Sequence, residues 1–412
     1  MAARPSLIEE LCPPCLLAVA GPDAATVRDR LESLMAAERH PESIEQLASR
    51  LADEIPADCA VRCAIVASTV EEAREGVADA AGALGGHGLS VLGRAFVGFG
   101  SSLRIGLLFP GQGAPVRTDA GGLGERVPEA AEILARAGLP ADPAEVADEK
   151  VQLSVVASSL AALAALHALG VEATIAAGHS LGELTALHWA GALDADALLR
   201  LAGARGAAMT GPAVAKGTMA TVLADDRALV ELTSGRNVTV ACLNSPRQRV
   251  VSGGLDEIQE FVDKARESGI RATRLDVIGA FHSPLMRPAV ADFERSLEAE
   301  RFEPLRRRVI SSVTGGELES GADLRSLLAR QIVDPVRFSE AGSAFAAEAD
   351  LMLEVGPGRI LSRLMAEIGG PPAVSMRVGE RSSAGLIEAG AAAFAAGAPV
   401  AVGRLTKLGA VA

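Results

Sequence analysis

Residues 176–187 read AAGHSLGELTAL, with Ser180 held between Gly178 and Gly182. The preceding VEATIAAG is short, apolar and strand-like, and LGELTALHWAGAL has helical spacing. A serine on a strand-to-helix turn projects its hydroxyl outward. Flanking glycines permit close backbone approach and an unfavourable turn conformation. The first free amides of the helix point to the same place, so an oxyanion forming there would meet the Leu181 N–H and the positive end of the helix dipole. Gly-x-Ser-x-Gly alone is a common pattern. Its strand–turn–helix context marks Ser180 as a nucleophile.

A serine hydroxyl needs a base to take its proton. The chain offers His40, His87, His167, His179, His188 and His282. His40 and His87 precede the segment that holds the serine. His167 and His188 sit inside helical patterns, where a structural role is simplest. His179 adjoins Ser180 but points the other way along an extended strand, so it braces the elbow or contacts substrate. His282 follows a strand pattern and opens the loop GAFHSPLM, which makes it the expected base.

Arg205 falls on the apolar stripe of a helix that carries Leu198, Leu201, Ala202 and Met209. Burying a lone cation costs several kcal/mol unless it finds a partner. That partner is either an internal acid or a substrate carboxylate taken by a two-pronged guanidinium contact.

Other elements must position these groups. In the leading segment, LLAVAG and VRCAIVAS read as strands. DAATVRDRLESLMAA, ESIEQLASRLADE and TVEEAREGVADAAGAL read as helices, with Asp23 and Thr69 as caps. GGHGLS marks a break after this small α+β unit. From about residue 103, strands such as LRIGLLF alternate with helices such as QLSVVASSLAALAALHALG, which argues for a parallel sheet with helices on both faces. Residues 217–276 read β-α-β-β-α-β, the split arrangement of a ferredoxin-like unit, inserted in the larger sheet domain. The larger pattern resumes with RRRVISSV and ADLMLEVG, and an Ala/Gly-rich tail begins near 375.

The 412 residues exceed what one compact core usually holds, so two or three domains are expected. With ten Phe, one Trp and no Tyr, the cores must be built of Ala, Leu and Val. A net charge of −13 argues against nucleic acid as partner. The longest apolar windows are Ala-rich and carry charges, so no membrane span is expected. The first residues lack a signal pattern, and a soluble cytoplasmic protein is expected. Cys12, Cys15, Cys59, Cys63 and Cys242 are odd in number and read as free thiols. Cys15 and Cys63 abut or lie in strand-like segments, so small buried side chains are a better reading than a zinc site or a redox pair. Arg306, Arg307 and Arg308 form the only triple-basic run, read as a solvated strand entry ahead of a docking patch.

FPGQG (109–113), GHSLGE (178–183), RGAAM (205–209), LNSP (243–246), GAFHSPLM (279–286) and EVGPG (354–358) occur in that order. Together they resemble the malonyl-CoA:acyl carrier protein acyltransferase family. The leading and trailing segments resemble the linkers around such a domain in a type I polyketide synthase. The resemblance implies an α/β fold with an α/β-hydrolase-like large subdomain (103–215 and 284–374) and a ferredoxin-like small subdomain (216–283). An N-terminal α+β linker domain (1–102) precedes them, and a trailing linker (375–412) follows.

It also implies roles. Ser180 matches the nucleophile and His282 the base. Arg205 matches the arginine that holds the free carboxylate of an extender unit. The backbone amides of Gln112 and Leu181 match the oxyanion hole. Gln152 matches a glutamine lining the pocket, and Asn244 the asparagine of the family's turn. The family's histidine is oriented by a backbone carbonyl, a place held here by Asp334 of VDPVRF. Malonyl-selective relatives often read HAFH at the base and methylmalonyl-selective ones YASH. GAFH puts Phe281 where an α-methyl branch would go, so malonyl is favoured. Gly279 departs from both patterns and resembles iterative synthases, notably of the enediyne type.

The implied reaction loads malonyl from malonyl-CoA onto the phosphopantetheine thiol of a carrier protein. It involves no metal or redox cofactor and has the carrier and a neighbouring ketosynthase as partners. A serine hydrolase of the α/β-hydrolase type is the rival. Its usual order is Ser…Asp…His, its HGG-type loop is absent here, and His282 lies well short of the C-terminus. A non-catalytic docking domain is the second rival, against which the presence of Ser180, His282 and Arg205 speaks.

Overall fold

The computed structural model describes residues 13–36, 43–56, 58–100, 102–212, 214 and 216–409. Cys12 and His40 lie outside the described residues. Three sheets organise the described residues. The first has the antiparallel order β1-β2-β4-β3 and is formed by β1 (Cys15–Gly21), β2 (Val61–Ala67), β3 (Leu89–Leu92) and β4 (Ala95–Phe99). The helices Ala24–Ala36, Ile44–Asp53 and Val70–Ala83 lie between these strands, as the caps Asp23 and Thr69 predict for the first and third, and Ser43 caps the second. The break expected at GGHGLS is instead a turn into the β3–β4 hairpin. The glycines at 85, 86 and 88 masked a short strand that is only half-buried, so no apolar run announced it.

Strand β1 is buried on both faces, and its alternation sorts the cores. Cys15, Leu17 and Val19 face the unit's own helices. Leu16, Ala18 and Ala20 face the rest of the molecule. The second face is covered by the helix Ala384–Ala395, which packs on β2 and β4 and also on the next sheet. The Ala/Gly-rich tail is thus a core helix, and its small residues let it approach both layers closely. The expected boundary after 374 falls within the strand β13 (Ala373–Ser375).

The second sheet is five-stranded and wholly parallel. Its order is β11-β6-β5-β12-β13, with β5 Ile105–Phe109, β6 Ile175–Gly178, β11 Arg308–Ile310 and β12 Leu351–Glu354. The α/β class with a parallel sheet is as expected. Phe109 pairs with Gly178 at the carboxyl ends of β5 and β6, so the FPGQG loop and the GHSLG turn leave the sheet side by side. The helix Asp148–Ala168 is apolar and long enough to cross a membrane by length and composition alone, but 67% of its most apolar 18-residue stretch is buried inside the protein. Its apolarity serves the core.

The third sheet has the antiparallel order β10-β7-β9-β8, made by Thr218–Leu223 (β7), Val238–Leu243 (β8), Gln248–Gly253 (β9) and Ala272–Arg274 (β10). In order along the unit this is 4-1-3-2, the ferredoxin-like arrangement expected from residues 217–276. Its own small core includes Val251, Ile258 and Phe261.

The run at 306–308 is a strand entry. Arg307 stacks over Trp189 at 5.0 Å, and Arg308 pairs with Glu317 and Glu348. Cys63 and Cys242 are buried, and burial pushes both thiols up to about 12, so they stay protonated. Cys15 and Cys63 belong to the core of the first sheet.

The docking of the tail helix is testable. A Cβ added at Gly98 would lie 1.8 Å from the Ala395 carbonyl oxygen, a backbone atom that cannot yield. Gly98→Ala should lower Tm by several degrees, corresponding to about 2 kcal/mol. Gly82→Ala, on an exposed helix position with nothing within 4 Å, should be neutral or raise Tm slightly. Equal shifts in a thermal melt would refute the close approach.

Candidate active site

The elbow at Ser180 is fixed by two backbone contacts. A Cβ at Gly178 would lie 2.1 Å from the Gly182 carbonyl carbon, and one at Gly182 would lie 2.0 Å from the Phe109 oxygen. Only glycines let the helix Gly182–Trp189 start so close to β5 and β6. Ser180 is thereby held at φ +51°, in the left-handed region. Apart from Arg377, the only other described non-glycine residue there is His282, at +56°. Each such residue costs on the order of 1–3 kcal/mol, which the surrounding packing must offset.

The two residues meet. Ser180 Oγ lies 2.8 Å from His282 Nε2, and both side chains are buried. On the far side of the ring, Nδ1 lies 2.9 Å from the Gln331 carbonyl oxygen and 3.1 Å from that of Asp334. Both carbonyls come from the end of the helix Leu324–Gln331 and the turn after it, where carbonyls lack partners within the helix. The expected Asp334 carbonyl is present, and Gln331 supplies a second, shorter contact that the sequence reading missed. Burial first, and then the Arg205 charge, push the His282 pKa down to about 3, so the ring rests neutral.

Arg205 is 1% exposed. Its Nη1 donates to Gln152 Oε1 at 2.8 Å. Its Nη2 donates to Gln331 Oε1 at 3.1 Å and to Ser180 Oγ at 3.2 Å. Its Nε–H is buried with no partner. Among the described residues no acid pairs with it, so the internal salt bridge weighed from the sequence is not found. Burial lowers its pKa to about 10, with Glu183 acting in the opposite direction, and it remains a cation.

Gln152 is fully used by the protein. Besides accepting from Arg205, its Nε2 donates to Gln112 Oε1 at 2.9 Å and to Met209 Sδ at 3.4 Å. This chain ties the FPGQG loop to the guanidinium. The loop also abuts the elbow, since a Cβ at Gly111 would lie 2.6 Å from the His179 carbonyl oxygen. Among the described residues, neither the Gln112 nor the Leu181 backbone N–H has an acceptor in the protein. Both are therefore available to a developing oxyanion.

His179 points away from Ser180. Its Nε2 lies 2.8 Å from Asn244 Oδ1, and its ring stands 5.2 Å from that of Phe338. Asn244 Nδ2 donates to Gln248 at 2.9 Å, so the pair braces the elbow against the β8–β9 turn. Of the two readings left open for His179, the brace is the one its contacts favour. Phe281 is buried next to the base. A Cβ at Gly279 would lie 2.6 Å from the Phe281 ring, so the unexpected glycine gives that ring its room. His188 Nδ1 contacts the Leu193 oxygen at 2.8 Å, a structural role as expected, while His87 and His167 are exposed.

Three further residues complete the site. Glu183 is fully buried, and burial raises its pKa to about 7 against the hydrogen bonds of Ser311, Ser312 and Gln331. Ser312 Oγ donates to Glu183 and lies 3.3 Å from the Ser180 backbone nitrogen. The Gln331 signal was present in the sequence. Leu324, Leu327, Leu328 and Gln331 are spaced like one apolar stripe, with a polar amide in the last place. Glu354 of EVGPG serves the scaffold. It accepts from Leu361 N and Ser362 N at 3.0 and 2.8 Å and so caps the helix Ile360–Ile368.

The chain resembles several known proteins. The chain is 34% identical over 303 residues to the polyketide synthase GfsB of Streptomyces halstedii, covering 68% of this chain and 5% of that protein. It is 33% identical over 286 residues to the malonyl CoA-acyl carrier protein transacylase of Bacillus subtilis (strain 168), covering 64% of this chain and 90% of the relative. Among solved structures, it resembles the acyltransferase domain of the iterative polyketide synthase in enediyne biosynthesis. That match has a TM-score of 0.80 and 39% identity, and it covers 94% of this chain and 97% of the other. The family model of the acyl transferase domain matches residues 133–370, more than half of the chain. The chain belongs to the acyl transferase domain family.

Proposed function

We propose that this chain loads malonyl from malonyl-CoA onto the phosphopantetheine thiol of an acyl carrier protein, in polyketide biosynthesis. One observation carries the reading: a Ser–His pair at 2.8 Å shares its serine oxygen with a buried arginine that has no acid of its own. A diacid donor fits that arrangement, with its thioester at Ser180 and its free carboxylate at Arg205.

His282 takes the hydroxyl proton as Ser180 Oγ attacks the thioester carbonyl. The Gln112 and Leu181 amides receive the oxyanion. The C–S bond breaks, and the CoA sulfur leaves with the proton from His282. The malonyl-serine ester remains, its carboxylate on Arg205. The carrier thiol then gives its proton to His282 and attacks the ester, and Ser180 recovers its proton. The carbonyls of Gln331 and Asp334 stabilise the ring while it is charged. The steps use no metal or redox cofactor.

The elbow supports an α/β-hydrolase-like description of residues 103–215 and 284–374. Residues 1–102 and 375–412 are read as the segments that join this domain to a neighbouring ketosynthase and the rest of a synthase. A CoA-thioester donor supports a cytoplasmic location. Phe281 disfavours an α-methyl branch, although one methyl group is worth only about 1–3 kcal/mol of discrimination.

Offered a mixture of acyl-CoAs, the protein should gain the malonyl mass by intact-protein mass spectrometry, and Ser180→Ala should gain none. Phe281→Ser should raise the methylmalonyl share. An adduct that survives in Ser180→Ala would place the nucleophile elsewhere. Arg205→Ala should lower malonyl loading by about a hundredfold, the scale of a buried charge-assisted pair, and acetyl loading far less. Equal losses in single-turnover assays would reject the carboxylate role. Because burial and the Arg205 charge hold His282 at about 3 in the free protein rather than the ordinary 6.5, kcat/KM for acylation should stay level from about pH 8 to about pH 5.5. A fall centred near 6.5 would mean an unperturbed base.

A further inference from the structure

The buried Glu183 takes no part in the steps above, yet it reaches Arg205 through one amide. Its Oε2 accepts from Gln331 Nε2 at 3.0 Å and from Ser312 Oγ at 3.0 Å. Gln331 Nε2 also donates to the Ser180 carbonyl oxygen at 3.1 Å. Both N–H groups of that amide are therefore used by acceptors on the elbow segment. This leaves Gln331 Oε1 facing Arg205 Nη2. Turned the other way, the amide would set its own N–H groups against a buried cation, and the Glu183 oxygen would meet the amide oxygen.

We propose that Glu183 is a positioning residue for the donor carboxylate: through the Gln331 amide it holds the Arg205 guanidinium in the orientation that receives the acid. The inference rests on the Arg205 role proposed above. Its physical content is the use of neutral dipoles next to the cation. A carboxylate in direct contact would occupy the guanidinium fork and compete with the donor. Gln152 and Gln331 instead each offer one carbonyl oxygen. The compensating acid stands one side chain behind, where it fixes the amide without blocking the fork.

The test uses the whole chain with malonyl-CoA and acetyl-CoA as alternative donors, reading KM and the single-turnover rate separately. Glu183→Met removes the acceptor at similar length. It should raise KM for malonyl-CoA by about tenfold or more, the scale of one lost charge-assisted hydrogen bond, and raise that for acetyl-CoA several-fold less. Glu183→Gln keeps an oxygen for Gln331 and should restore most of the difference. Gln331→Met keeps the backbone carbonyl at His282 and should reproduce the malonyl-specific loss. The double variant should be no worse than either single one. Should Glu183→Met fail to fold, Gln331→Met and Glu183→Gln carry the test. Equal losses for both donors, or an unchanged malonyl-to-acetyl ratio in Gln331→Met, would overturn the proposal. Arg205→Ala is the control. If it also spares the ratio, the carboxylate role itself has failed; if it abolishes the ratio while Gln331→Met does not, only the positioning role has.

Discussion

The site depends on a cation that the fold buries without giving it an acid. Arg205 lies among apolar side chains, and its contacts are two amide oxygens and the nucleophile's own hydroxyl. Desolvation alone makes such a charge unfavourable. The structure tolerates it because Gln152 and Gln331 are themselves locked, one by Gln112 and Met209, the other by Ser180 and Glu183. The same polar chain joins the FPGQG loop, the elbow and the helix end that supports the histidine. After burial, which is the larger cause, the incompletely compensated charge also helps keep the base neutral at rest. On the function proposed above, a donor carboxylate at Arg205 would remove part of that repulsion and so link binding of the acid to readying of the base.

The dyad shows the other cost. Ser180 and His282 both hold left-handed backbone that side chains disfavour. The glycines at 178 and 182 allow one such turn by interlocking strand and helix backbones. The other is held where the chain leaves the small sheet, close under the helix Leu324–Gln331. These are contacts of main chain with main chain, which neither side-chain volume nor polarity records.

Much of this was legible in the residues. The elbow, its glycines and the serine followed from a strand pattern meeting a helix pattern, and the ferredoxin-like order followed from the alternation of elements. Arg205 stood out as a charge on an apolar stripe. Gln331 obeys the same logic and was missed, because an uncharged amide on a stripe raises less alarm than a guanidinium. Its backbone role was assigned to Asp334, three residues on, and the two carbonyls share the histidine. The β3–β4 hairpin escaped because glycines dilute its apolar signal. The tail helix read only as an Ala/Gly-rich trailing linker, because alanine and glycine disclose how closely a helix can pack only once its neighbours are known.

The nucleophile and the residue beside the base have separate origins. Ser180 is set by the parallel sheet, where no side chain can be added at 178 or 182. Phe281 and His282 arrive on the segment that exits the small antiparallel sheet, with Gly279 leaving space for the aromatic ring. Selectivity and reactivity can therefore drift apart over evolutionary time. On the function proposed above, an exchange at 279 or 281 would alter the ring beside His282, while the rigid bend at Ser180 stays as it was.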